Sequence, residues 1–217
     1  LEKFIEIAEK EFIEDSDFAI EVVNCVSSVI EDDDLCEKFI NELNGLDRYI
    51  NLFLKTDDEN FVLKIVEVIG FLAENEKYRN LFIPYVNSIF QVIMNGFTTQ
   101  KYGASKLIAY LSVSEEIATT LFEHIDFFIE QLQMNDKEFP IYAGMTIANL
   151  AMDDERCAII IQKDVPLIML NLAKDEDSDI RLRHYCISAL RNLSVLDKHK
   201  ETIFDLGVME PAVELLN

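Results

Sequence analysis

The sequence predicts an all-α fold, a solenoid of stacked helical repeats, on three observations. Gly and Pro are scarce, 6 and 4 in 217 residues, where ordinary usage would supply roughly 26. A β-sandwich or barrel turns about every 8–12 residues and draws on such breakers, so β architectures are excluded. Half the residues are apolar, enough for a core and unlike a disordered chain. The third observation is self-similarity at a period near 40 residues, the kind of signal that marks repeat architectures.

The period is read from one helical segment, Ile187-Ser-Ala-Leu-Arg-Asn-Leu-Ser194. Earlier copies are Met145–Ala151, Lys106–Ser112 and, more faintly, Glu67–Ala73 and Asn24–Ile30. With Leu193 as anchor, the equivalents are Leu150, Leu111, Leu72 and Val29, at spacings of 43, 39, 39 and 43. Three residues before the anchor stand Leu190, Ile147, Ile108, Ile69 and Val26; ten after it stand Ile203, Ile160, Leu121, Phe82 and Phe39. Fifteen apolar positions of fifteen, in a half-apolar chain, arise by chance on the order of once in tens of thousands of trials.

Each unit resolves into three helices. In the fourth copy a helix around Ala143–Met152 is followed by a short one, Glu155–Gln162, and a break at Lys163-Asp164. A second helix, Val165–Lys174, carries Pro166 in its first turn, where proline is tolerated. The acidic loop Asp175–Asp179 then leads to the next long helix. In the last unit Gly207 supplies a break and Pro211 opens another helix. Three helices per 40 or so residues favour the armadillo repeat, which builds a right-handed superhelix with a continuous core. The expected organisation is one array over 1–217. Full repeats fall at about 35–74, 75–113, 114–152 and 153–195, with partial repeats at 1–32 and 198–217. Leu1–Asp15 and Pro211–Asn217 then read as second helices of incomplete units, and the chain as a fragment of a longer protein.

Charge removes several partner classes. With 19 basic against 41 acidic side chains the net charge is −22, which repels phosphate backbones and anionic membrane surfaces. Nucleic acid and direct membrane insertion are therefore not expected, and no apolar run reaches the 18 or so residues of a span. A basic partner is the electrostatic complement. Cys25, Cys36, Cys157 and Cys186 are scattered without metal or redox spacing, which suits a reducing, intracellular setting. The oligomeric state is not readable.

Catalytic motifs fail one by one. His124, His184 and His199 have no metal-type spacing. Asp175, Asp177 and Asp179 imitate the start of a calcium loop, but Ile180 stands where glycine is needed and Cys186 where glutamate is needed. Asn192-Leu193-Ser194 is formally a glycosylation sequon, set in mid-helix. There is no phosphate-cradling glycine loop and no nucleophile elbow. No enzyme and no cofactor are expected.

The binding surface is expected on the third helices. With Leu190 and Leu193 packed inward, helical geometry turns positions 188 and 192 along another stripe. The 192 column reads Asn192, Asn149, Tyr110, Phe71 and Ser28, and the 188 column Ser188, Met145, Lys106, Glu67 and Asn24. Side-chain amides both donate and accept, so Asn149 and Asn192 either hold a partner's backbone or tie neighbouring helices together. Phe71 and Tyr110 offer aromatic surface in the same column, unless a neighbour buries them. Glu21, Glu31, Asp32, Asp33, Glu67 and Glu74 lie on or beside the first two third helices. There they either attract a lysine-rich segment or form a solvated face.

Two consecutive segments carry a family resemblance: Tyr142-Ala-Gly-Met-Thr-Ile-Ala-Asn-Leu-Ala-Met-Asp-Asp-Glu-Arg-Cys157 and Leu182-Arg-His-Tyr-Cys-Ile-Ser-Ala-Leu-Arg-Asn-Leu-Ser-Val195. They resemble two successive armadillo repeats of the small-GTPase GDP dissociation stimulators (SmgGDS). Ile65–Asn75 and Gly103–Leu111 resemble the two repeats before them. The resemblance runs from about Phe61 to Glu214. It implies a non-enzymatic cytoplasmic protein, compatible with nuclear shuttling, that binds Rho- and Rap-type small GTPases with polybasic, prenylated tails. Such a protein chaperones them or stimulates GDP release. Carried over by position, Asn149, Arg191 and Asn192 would belong to the family patch that engages the GTPase. Two alternatives stand beside it: a generic armadillo scaffold reading an extended peptide, and a structural spacer. The first is weakened by the broken asparagine column and the absence of Trp.

Overall fold

The computed structural model describes residues 1–12, 14–195, 197–209 and 213, so the helix expected over Pro211–Asn217 lies, Val213 apart, outside the described residues. The chain divides into two compact units, Leu1–Tyr110 and Leu111–Asn217. The first comprises α1 (Glu2–Glu11), α2 (Ser16–Val29), α3 (Asp33–Asn41), α4 (Gly45–Lys55), α5 (Glu59–Glu74), α6 (Glu76–Arg79), a 3₁₀ stretch (Asn80–Tyr85), α7 (Val86–Asn95) and α8 (Thr98–Leu111), whose final residue opens the second unit. The second continues with α9 (Glu115–Phe122), α10 (Ile125–Leu132), α11 (Phe139–Leu150), α12 (Asp154–Gln162), α13 (Val165–Lys174), α14 (Ile180–Leu193) and α15 (Asp197–Asp205). The pattern is a short first helix, a second helix and a long third helix, repeated, as in armadillo arrays.

Aspartates start the helices. Asp15, Asp32, Asp58, Asp153 and Asp179 each accept a backbone N–H in the first turn of α2, α3, α5, α12 and α14. A carboxylate there pairs an orphan donor and meets the positive end of the helix dipole. Part of the large acidic excess is thus structural, and Asp32, expected beside the groove, is a cap. The turns into α4 and α13 are made by Asn44 (φ 51) and Asp164 (φ 58) in the left-handed region, which Asn and Asp tolerate best after glycine. Gly207, at φ 82, breaks the chain after α15 as expected.

The core follows the columns. Fourteen of the fifteen periodic positions are buried, most of them completely. The exception is Val29, half-buried, because α2 ends there and the following Ile30 takes the core position at 1% exposure. The slip is confined to that position, because Val26 and Phe39 of the same copy are buried in register. Within units, third helices pack side by side, α2 on α5 and α11 on α14, and the second helices α1, α4, α10 and α13 pack on the third helices α2, α5, α11 and α14. Two glycines permit close approach. A Cβ on Gly103 of α8 would stand 2.7 Å from Val66 of α5, and one on Gly144 of α11 would stand 3.1 Å from Leu182 of α14.

Polar contacts between neighbouring repeats recur about one period apart. Arg48 pairs with Glu9 and Lys77 with Glu37 in the first unit. Arg156 pairs with Glu115, Lys163 with Asp126 and Arg181 with Glu138 in the second. In all five the cation belongs to the later repeat and the anion to the earlier. No helix among the described residues is long and apolar enough to cross a membrane.

Candidate partner-binding faces of the third helices

In the first unit the expected positions lie on α5 and α8. Glu67 is exposed and held by Lys64 at 3.0 Å. One turn on, Phe71 is 36% exposed. Glu74 is exposed, and its backbone carbonyl accepts from Arg79 at 2.7 Å. On α8, Lys106 and Tyr110 are half-buried, with the ammonium 5.6 Å from the ring centroid. That is within reach of a cation–π attraction. The Tyr110 ring lies over Gly70, 4.0 Å from where a Cβ would stand. The two rings are thus only partly covered by their neighbours.

Sequence reasoning missed two members of this face. Leu63, one turn before Glu67, is 51% exposed, and Tyr102, one turn before Lys106, is half-buried. Extending each stripe by one helical step would have found them. Of the remaining acidic positions, Glu21, Glu31 and Asp33 are exposed, and Asp33 sits in the first turn of α3 beside Asp34.

In the second unit the positions lie on α11 and α14. Asn149 donates to the Ser112 hydroxyl at 2.9 Å, and Asn192 donates to the Ala148 carbonyl at 2.9 Å. Both amides are half-buried, so each ties its helix to the repeat before it. Exposed Arg191 donates to the Asn192 side-chain Oδ1 at 3.2 Å and fixes the amide's orientation. Met145 and Ser188 are half-buried one turn earlier on the same helices. Together they form a face of amide, guanidinium, hydroxyl and thioether groups.

The second unit also holds an open cleft of about 700 Å³ between loops 133–138 and 175–179. Three of its carboxylates are committed locally. Asp136 accepts from the Glu138 and Phe139 amides, Asp175 from the Asp177 amide and Ser178 hydroxyl, and Asp179 holds Arg181. Among the described residues no group of three or more His, Cys, Asp or Glu is placed to hold a metal ion. His184 is exposed whereas Cys186, two residues on, is buried, and burial pushes its thiol up to about 12.

No family model matches the chain. It is similar to Rap1 GTPase-GDP dissociation stimulator 1-A of Xenopus laevis, 24% identical over 189 residues, covering 80% of this chain and 31% of that protein. The 1-B protein of the same frog is 24% identical over 183 residues, covering 77% and 30%. The chain therefore spans about a third of the length of these curated relatives. Among solved structures, a designed armadillo repeat protein in complex with the peptide (KR)4 superposes with a TM-score of 0.77 at 16% identity, covering 99% of this chain and 91% of that one. A second designed armadillo repeat protein gives 0.76 at 17%, covering 99% and 90%.

Proposed function

Starting from an armadillo-repeat chain distantly related to the Rap1 GTPase-GDP dissociation stimulators, we propose that it is a non-catalytic cytoplasmic protein that binds small GTPases of the Rho/Rap type. The observation that carries this reading is the relationship itself, 24% identity along 80% of the chain. The −22 charge supports it, because a lysine-rich tail would be drawn to such a surface. Asn149, Arg191 and Asn192, with Met145 and Ser188 beside them, are assigned to the GTPase body. The exposed carboxylates of the first unit, Glu67 and Glu74 included, are assigned to the basic tail. Chaperoning needs only this binding. Stimulated GDP release would need, in addition, tighter binding of the nucleotide-free GTPase than of its GDP form, with no catalytic side chain.

The test is a titration against GDP-loaded Rho- and Rap-type GTPases, with and without their lysine-rich tails, at low and high salt. Saturable binding that needs the tail and weakens with salt supports the reading. No binding to any of them by the folded chain overturns it and favours the second reading, a groove for an extended basic peptide. That alternative draws on the same charge and on the fold shared with the (KR)4-binding design.

A further inference from the structure

Between Glu76 and Glu115 the chain carries no carboxylate side chain, while Lys77, Arg79, Lys101 and Lys106 all fall in that stretch. At 41 acidic residues in 217, a stretch of that length would hold about seven. Its third helix, α8, presents Tyr102, Lys106 and Tyr110 as one half-buried stripe at four-residue steps. The adjacent stripe on α5 is Leu63, Glu67 and Phe71, with Leu63 51% and Phe71 36% exposed. The two helices lie close, Gly103 against Val66 and the Tyr110 ring over Gly70.

The cations of this face are not equivalent. Lys64 is neutralised by Glu67 at 3.0 Å, and Lys101 donates to the Met94 carbonyl at 3.3 Å. Lys106 has the Tyr110 ring as its neighbour at 5.6 Å and, among the described residues, no carboxylate partner. An ammonium beside an aromatic ring, with no carboxylate paired to it and exposed apolar side chains on the next helix, is open to an anionic group of a partner. Elsewhere a chain of charge −22 repels one.

We propose that the α5–α8 face is a docking site for a peptide segment that sets carboxylates beside apolar side chains. The Lys106 ammonium takes a carboxylate, and Leu63, Phe71, Tyr102 and Tyr110 take the apolar groups. Charge depletion with aromatic enrichment is also the composition of interface centres. The partner is opposite in sign to a lysine-rich tail; Glu67, in the α5 stripe and neutralised by Lys64, is common to the two assignments, so the two ligands would compete there, and the Lys106 variants test this one without any GTPase.

The probe is a rhodamine-labelled amidated peptide, Gly-Leu-Asp-Phe-Asp-Leu-Gly, titrated with the 217-residue chain by fluorescence anisotropy. Counterparts carry Asn or Lys in place of both Asp. The Asp peptide is expected to bind at least about fivefold more tightly than the Asn peptide, and the Lys peptide least at this site. Lys106→Glu should abolish the preference for Asp over Asn, and Lys106→Arg should keep it. Phe71→Ala should weaken the Asp and Asn peptides by the same factor. Both positions are partly exposed, and circular dichroism melts of the three variants check that they fold. Absence of saturable binding up to about 1 mM, equal binding of Asp and Asn peptides, or an unchanged Asp affinity in Lys106→Glu would each overturn the proposal.

Discussion

The Arg156 guanidinium lies fork to fork against the Glu115 carboxylate, at 2.9 and 2.7 Å, while its Nε donates to the Leu150 carbonyl at 3.1 Å. One side chain thus closes the C-terminal end of α11, where carbonyls lack helical partners, and reaches back to the start of α9. Arg79 does the first of these jobs for α5, donating to the Ala73 and Glu74 carbonyls. The guanidinium is nearly buried whereas Glu115 is 74% exposed, so the two ends of the pair contribute unequally. Arg156→Met is expected to cost about 1–3 kcal/mol, because it strands a buried carbonyl. Glu115→Gln should cost less than about 1 kcal/mol, as exposed pairs do. Arg156→Lys, which cannot fork, should fall between. Urea denaturation of the three variants checks the order.

Asn192 makes a sharper case, because its isosteric acid reverses the chemistry. Its amide donates to the Ala148 carbonyl. Asn192→Ala removes the donor and should destabilise by about 1 kcal/mol. Asn192→Asp puts a second acceptor against the carbonyl and should destabilise more than alanine does. If Asp proves milder than Ala in thermal melts, the amide is not acting as an inter-repeat tie. A partner-binding role is read separately, as lost GTPase affinity beyond what the stability change explains.

These cases mark where the sequence stops being legible. The repeat could be read because Leu193, Leu150, Leu111 and Leu72 must all be buried for helices to stack, and burial selects a side chain's type. The start of α12 was missed by one residue and the cap role of Asp32 entirely, because an aspartate looks the same whether it caps a helix or faces a partner. The inter-repeat pairs were invisible for a related reason. Arg156 has many carboxylates roughly a period upstream, and only the packing of α9 against α12 selects Glu115. At the candidate site, the columns through Phe71 and Asn192 followed from helical geometry. How far the Phe71 and Tyr110 rings are covered depended on neighbouring helices that no single helix pattern specifies.

The four cysteines should separate by burial. Cys25 is exposed, whereas Cys36, Cys157 and Cys186 are buried. Desolvation raises all three buried thiols above their ordinary value, Cys186 to about 12, and the thiolate is the reactive form. At pH 8 a disulfide reagent such as Ellman's should titrate one thiol per native chain and four in denaturant. Cys25→Ser should leave the native count at zero. A rapid second equivalent in the native protein would mean that one of the buried sites opens.

Salt and pH should act on stability through different carboxylates. Hydrogen bonding to Arg156 holds Glu115 below the usual carboxylate range, and Arg181 and Lys200 do the same for Asp179 and Asp197. A depressed folded-state value stabilises fully above the unfolded value, near 4, and that contribution disappears as pH falls through the folded value. Loss from these three groups is therefore confined to pH below about 4. At pH 7 they are fully ionised, and the opposing effect is self-repulsion of a chain of charge −22. Raising salt from about 0.02 to 0.2 M shortens the screening length to under about 10 Å. It should raise the melting temperature by about 2–4 °C, equivalent to roughly 1 kcal/mol in a chain of this size. Were the exposed ion pairs dominant instead, the same salt step would lower it. Calorimetric scans at pH 7 across that range distinguish the two, and a fall in melting temperature would rule out repulsion as the controlling term.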